Sequence, residues 1–245
     1  MFGIEADKKD FREDLRSIID LLKSERNFAF SKYADGELHI LANKAINNGE
    51  FWFIPEQHQF NREQMINSFK FQHDDYYVGV SCPCCIGGDP VHKWMKEQSG
   101  QDISHLTWAN IFVNANYQFY LNNMVPEYTK RDVILVSNSD SNLENLPFKI
   151  QKHFVIGKNA WVENFDLIDE IKEYTTSNNL NGALFLFCAG PFGNILTHQL
   201  FEHNQNNTYI DIGSTLNPLL LGDNGLNRGY LRGNESITKF CTWSD

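Results

Sequence analysis

Phe11, Leu15, Ile18, Ile19 and Leu22 recur with helical spacing through FREDLRSIIDLLKSE. This predicts an amphipathic helix over 7–25, broken at Asn27. The next run, NFAFSKY, is short, apolar and bounded by polar residues, and reads as a buried strand. It leads through Ala34-Asp35-Gly36-Glu37 into a helix-like LHILANKAI, so Asp35 falls at a strand-to-helix turn. Further strands are expected at 76–81, 132–137, 153–157, 182–188 and 208–213, with helices near 61–71, 114–124, 163–176 and 193–203. The strand runs are apolar throughout, as strands covered on both faces are. Alternation of the two types predicts an α/β, Rossmann-like fold, with a mostly parallel sheet and helices on both faces. There is no internal repeat, and one domain over 1–245 is expected. The turn-rich tail 222–245 reads either as a loop over a site or as irregular chain.

Composition narrows the function classes. Hydrophobic residues make up 42% and charged residues 21% of 245 residues, values of an ordinary globular chain with enough length for a sizeable core. The formal charge of −10 offers no field for a phosphate backbone, so no nucleic-acid partner is expected. An acidic protein accepts a diphosphate most readily through a bound divalent cation, which dominates the local charge. The N-terminal segment has no apolar signal region, no stretch reaches the roughly 18 to 20 apolar residues of a membrane span, and a cytoplasmic location is expected. The five cysteines suit reduced thiols better than a disulfide framework. Cys82-Pro83-Cys84-Cys85 lacks a paired C-x-x-C, and His92 and His105 are not at zinc-finger spacing. These thiols read as structural or incidental. Trp52, Trp94, Trp108 and Trp161 are expected in the core, and none is given a sugar-stacking role.

Chemistry concentrates at Asp35 and Glu37. In open α/β sheets ligands bind beyond the carboxyl ends of strands, where the run ending at Tyr33 delivers these two residues. Two carboxylates two positions apart can share one hard cation such as Mn²⁺ or Mg²⁺, and Gly36 between them allows close approach. The same string is equally compatible with Asp35 as a helix cap and Glu37 as a first-turn residue favoured by the helix dipole.

The surrounding residues favour the first reading. Phe30-Ser31-Lys32-Tyr33-Ala34-Asp35-Gly36-Glu37 resembles the signature of the GT-D glycosyltransferases, the family once known as DUF1792. In order downstream, Asp132–Val136, Gly157-Lys158-Asn159-Ala160-Trp161, Phe187–Gly190-Pro191 and Tyr209-Ile210-Asp211-Ile212-Gly213 are similar to its further elements, covering a core of about 27–221. The resemblance implies metal-dependent transfer of a hexose from a UDP-sugar, UDP-glucose or a relative, to a hydroxyl of a glycan or glycoconjugate. Asp35 and Glu37 become the metal and donor ligands. Lys32 stands where the family has Arg, keeping the charge without the bidentate fork. Lys158 is expected to neutralise a donor phosphate, Asn159 to bond ribose or base, and Gly190 to open a helix N-terminus toward the pyrophosphate. The family's Glu-Gly-Glu-like segment is Ser137-Asn138-Ser139-Asp140 here, leaving Asp140 and Asp211 as candidates for the catalytic base. Two rivals remain open: a metal-dependent nucleotide-sugar hydrolase or phosphotransferase using the same carboxylates, and a catalytically degenerate nucleotide-sugar-binding subunit.

Overall fold

Residues of each apolar run alternate between two hydrophobic cores, one on either side of a single sheet. Phe30, Leu135, Leu186 and Ile210 enter one core, while Ala29, Val136, Phe187 and Tyr209 enter the other. Period-two geometry requires this of strands buried on both faces. In a computed structural model of the chain, residues 2–3, 9–85, 87–231 and 238–244 are described. The strands are β1 (Ala29–Lys32), β2 (Ile46–Asn47), β3 (Trp52–Phe53), β4 (Tyr76–Val80), β5 (Leu106–Trp108), β6 (Val133–Asn138), β7 (Ile150–Ile156), β8 (Leu184–Phe187) and β9 (Thr208–Asp211). Seven of them form one parallel sheet in the order β5-β4-β1-β9-β8-β6-β7.

The helices are α1 (Phe11–Lys23), α2 (Asp35–Leu41), α3 (Gln59–Lys70), α4 (Gly88–Ser99), α5 (Tyr117–Asn123), α6 (Val125–Tyr128), α7 (Ala160–Glu163), α8 (Leu167–Ser177), α9 (Pro191–His203) and α10 (Asn217–Leu220). Apolar faces of α1, α5 and α6 pack into the first core, and those of α3, α8 and α9 into the second. The fold is thus the α/β, Rossmann-like arrangement expected, with helices on both faces of the sheet.

Several boundaries differ from expectation. Helix α1 is shorter than 7–25: Asp10 caps it by accepting from the N–H groups of Arg12 and Glu13, and residues 4–8 lie outside the described residues. Helix α2 stops at Leu41 instead of continuing through LHILANKAI. Asn43 takes a left-handed φ of 56°, and Ile46–Asn47 pairs antiparallel with Trp52–Phe53 as a small hairpin. Strand β5 and helix α4 were not expected. The strand is three residues long with a polar centre at Thr107, and the helix is flanked by Gly87 and Gly100 at positive φ.

The chain leaves β1 toward β4 on one side, whereas its neighbour on the other side, β9, is entered last. That crossing of directions makes the carboxyl end of the β1/β9 pair the place where connections part and a crevice opens.

Candidate active site

Helix α9 braces the end of β1. The buried Asn194 amide donates to Ser31 Oγ at 3.1 Å and to the Lys32 carbonyl at 2.7 Å. Beyond β1, Tyr33 N–H bonds the Gly79 carbonyl at 2.7 Å and the chain turns through Ala34 into α2. Ala34 occupies the cap position and has no side chain to accept. Glu37 therefore reaches back, its Oε2 accepting from Ala34 N–H at 3.0 Å. Asp35, the first residue of the helix, is exposed. Gly36 lies under the Phe51 ring: a Cβ there would sit 2.5 Å from Phe51 Cζ, so only glycine permits this approach. The same ring lies against Gly190.

These groups open onto a cleft of about 480 Å³, lined from loops following six of the sheet's seven strands. Asp140 enters after β6, Lys158 after β7, and Gly190 and Pro191 after β8. Arg228 and Tyr230 of the tail line the cleft as well. Tyr230 OH shares a hydrogen bond of 2.8 Å with Ser214 Oγ and accepts from Arg228 Nη1 at 3.1 Å, while Arg228 also pairs with Glu50. Ser137 contributes a hydroxyl 2.8 Å from His153 Nε2.

At the β1/β9 crevice, Lys32 faces acidic groups from β9, α2 and the tail. Burial works against its ammonium, but Asp211, Glu37, Tyr230 and Asp35 outweigh it and hold the pKa above the ordinary lysine value. Gly213, at φ 52°, makes room: a Cβ there would lie 2.6 Å from Lys32 Nζ. Asp211 is 1% exposed, accepts from Gly213 N–H at 3.0 Å and packs against Gly193. Burial pushes its carboxyl up to about 7, against the opposing pull of Lys32. Burial raises Glu37 too, again opposed by Lys32.

Six of the eight residues selected from sequence, Lys32, Asp35, Glu37, Asp140, Lys158 and Gly190, line this cleft. Three expectations are corrected by geometry. Asn159 is fully buried and lies outside the lining; its Oδ1 accepts from Trp52 N–H at 2.9 Å and Trp161 Nε1 at 2.8 Å, and its own N–H bonds the Glu50 carbonyl. It fixes the Gly157–Trp161 loop instead of meeting a ribose. Asp211 is likewise outside the lining and is the counter-ion of Lys32 in place of an exposed base. Gly190 does not open a free helix N-terminus, because Pro191 has no N–H and those of Phe192 and Gly193 bond the Ala189 and Gly190 carbonyls. Sequence reading passed over Arg228, Tyr230, Glu50 and Phe51. Their only local signal was a turn-rich tail and an aromatic in a loop.

A divalent ion fits this donor set. Asp35 is exposed to the cleft and its carboxylate makes no hydrogen bond among the described residues, whereas Glu37 Oε2 is committed to the helix start. Two hard oxygen ligands with room left for water and phosphate oxygens suit Mg²⁺ or Mn²⁺.

No family model and no curated protein matches the chain in sequence. Among solved structures, a selenomethionine-substituted structure of domain of unknown function 1792 aligns with a TM-score of 0.58 at 15% identity, covering 82% of this chain and 77% of that one. A second structure of that domain, described as having a distinct glycosyltransferase fold, aligns at 0.55 and 15%, covering 81% and 76%. At this identity the likeness is one of fold, and the fold is the one the sequence motifs resemble.

Proposed function

We propose that the cleft binds a UDP-hexose, UDP-glucose or a relative, with Mn²⁺ or Mg²⁺ between Asp35 and Glu37, and transfers the hexose to a hydroxyl of a glycan or glycoconjugate. The observation that carries this reading is the meeting of an uncommitted Asp35 carboxylate, the Glu37 carboxylate and the partly covered Lys32 at the carboxyl end of β1. The ion, when bound, offsets charge on the departing diphosphate. Lys32 is kept cationic by Asp211, so a fixed positive charge stands beside the same phosphates without relying on solvent. Lys158, also in the lining, adds positive charge, whereas Arg228 there is paired with Glu50. Asp140, exposed on the loop after β6 and in the cleft lining, is our candidate for the base that takes the acceptor's proton.

Incubating the protein with a panel of UDP-hexoses and hydroxyl acceptors, with Mn²⁺ or with chelator, tests the reading. Acceptor-dependent, chelator-sensitive release of UDP together with a new glycoside is expected. Release of UMP or free sugar independent of any acceptor would instead identify a hydrolase.

A further inference from the structure

We propose that Cys82, Cys84, Cys85 and Cys241 form a structural tetrathiolate zinc centre that fastens the C-terminal segment 238–244 to the turn after β4. Three thiols come from one tight turn, closed by Cys85 N–H on the Cys82 carbonyl at 3.1 Å, and the fourth from the far end of the chain. All four sulfurs lie within 4.8 Å of one another, and Cys82 and Cys84 are 3.5 Å apart. Zinc–sulfur bonds of about 2.3 Å in a tetrahedron place the sulfurs about 3.8 Å apart, so the cage is already close to the size of one ion. A multi-iron cluster needs a wider cage. Four sulfur donors and no oxygen select zinc over Mg²⁺ or Mn²⁺, so the centre is chemically separate from the carboxylate cleft.

A disulfide accounts for the arrangement poorly. All five cysteines are free, and Cys241 could pair with only one of the three on the turn. The surroundings are those of thiolates. Asn110 Nδ2 reaches Cys85 Sγ at 3.3 Å, Lys239 Nζ the same sulfur at 3.4 Å, Thr242 N–H reaches Cys84 Sγ at 3.4 Å, and Asn114 Nδ2 reaches Cys241 Sγ at 3.5 Å. Donors of this kind orient metal-bound sulfur and offset its charge. The segment so fastened also seats Trp243 on Trp108 and His92, and gives the Thr242 carbonyl to Trp108 Nε1 at 2.7 Å. Asn110 lines the cleft, so the centre also steadies that wall.

Elemental analysis of the full chain, purified under reducing conditions without chelator, tests this. About one zinc per chain is expected, falling at least tenfold in Cys84→Ser and in Cys241→Ser and unchanged in Cys188→Ser. Should the ligand variants fail to fold, the wild-type protein decides: exchanged with Co²⁺ alone, it should show the absorption of a tetrahedral tetrathiolate site. Metal-free wild-type protein with five thiols open to titration, or a disulfide joining Cys241 to the turn, would overturn the proposal.

Discussion

Lys32 and Asp211 stand at the ends of adjacent strands, where burial raises the Asp211 carboxyl and each charge favours the ionised form of the other. The folded Asp211 carboxyl titrates near 7, against about 3.9 for an unfolded aspartate. Below about pH 4 both states are protonated. Between there and 7 the unfolded chain gives up a proton that the folded one keeps, so rising pH favours unfolding; above 7 the loss is complete and constant. Asp211→Asn removes this step. In denaturant melts its stability relative to wild type should therefore improve from pH 4.5 to 7.5, and a constant gap would place the titration elsewhere. Lys158, exposed on the cleft rim, carries no comparable structural burden. Lys158→Ala should weaken donor binding several-fold while moving stability by no more than about 0.5 kcal/mol; unchanged donor affinity would return it to the solvated surface. Residues adjacent in the chain, such as Lys32, Asp35 and Glu37, were legible as a group from sequence. The burial of Asp211 was not, because Gly193, which packs against it, comes from a separate segment.

At the level of elements, the first turn of α2 lies under one close approach, the Phe51 ring over Gly36. On helix propensity alone Gly36→Ala would gain about 1 kcal/mol. The ring must move to admit a methyl, an overpacking that costs about 1–3 kcal/mol. A net loss of stability is expected, together with weaker donor binding because the same ring borders Gly190. A stabilised variant would show that the Phe51 loop yields freely. Long apolar runs such as β4, β6 and β8 were readable because burial on both faces leaves no polar position. The β2–β3 hairpin and α4 were not: two-residue strands carry no periodicity, and α4 is defined by the left-handed glycines at its ends.

Taken whole, the molecule carries a formal charge of −10, yet Lys32, Lys158 and Arg228 converge on one cleft. The alternation of strands and helices announced a parallel sheet, but strand order depends on crossovers that leave no local trace. Only the order places β9 beside β1 and Asp211 beside Lys32. The tail likewise reached the cleft through long-range contacts of Arg228 and Tyr230 with Glu50 and Ser214. An acidic chain of this kind should need a cation to hold a nucleotide diphosphate. The direct measurement is thermal unfolding with a UDP-hexose, with Mn²⁺ and with chelator, in wild type, Asp35→Asn and Glu37→Gln. Neither substitution should cost more than about 1 kcal/mol without ligand, since Asp35 supplies no cap and Gln can still accept from Ala34 N–H. At 100 times its dissociation constant the donor should stabilise wild type by about 2.7 kcal/mol with Mn²⁺. With chelator, and in both variants, that gain should be lost. An equal, chelator-resistant gain in all three proteins would remove the metal from Asp35 and Glu37.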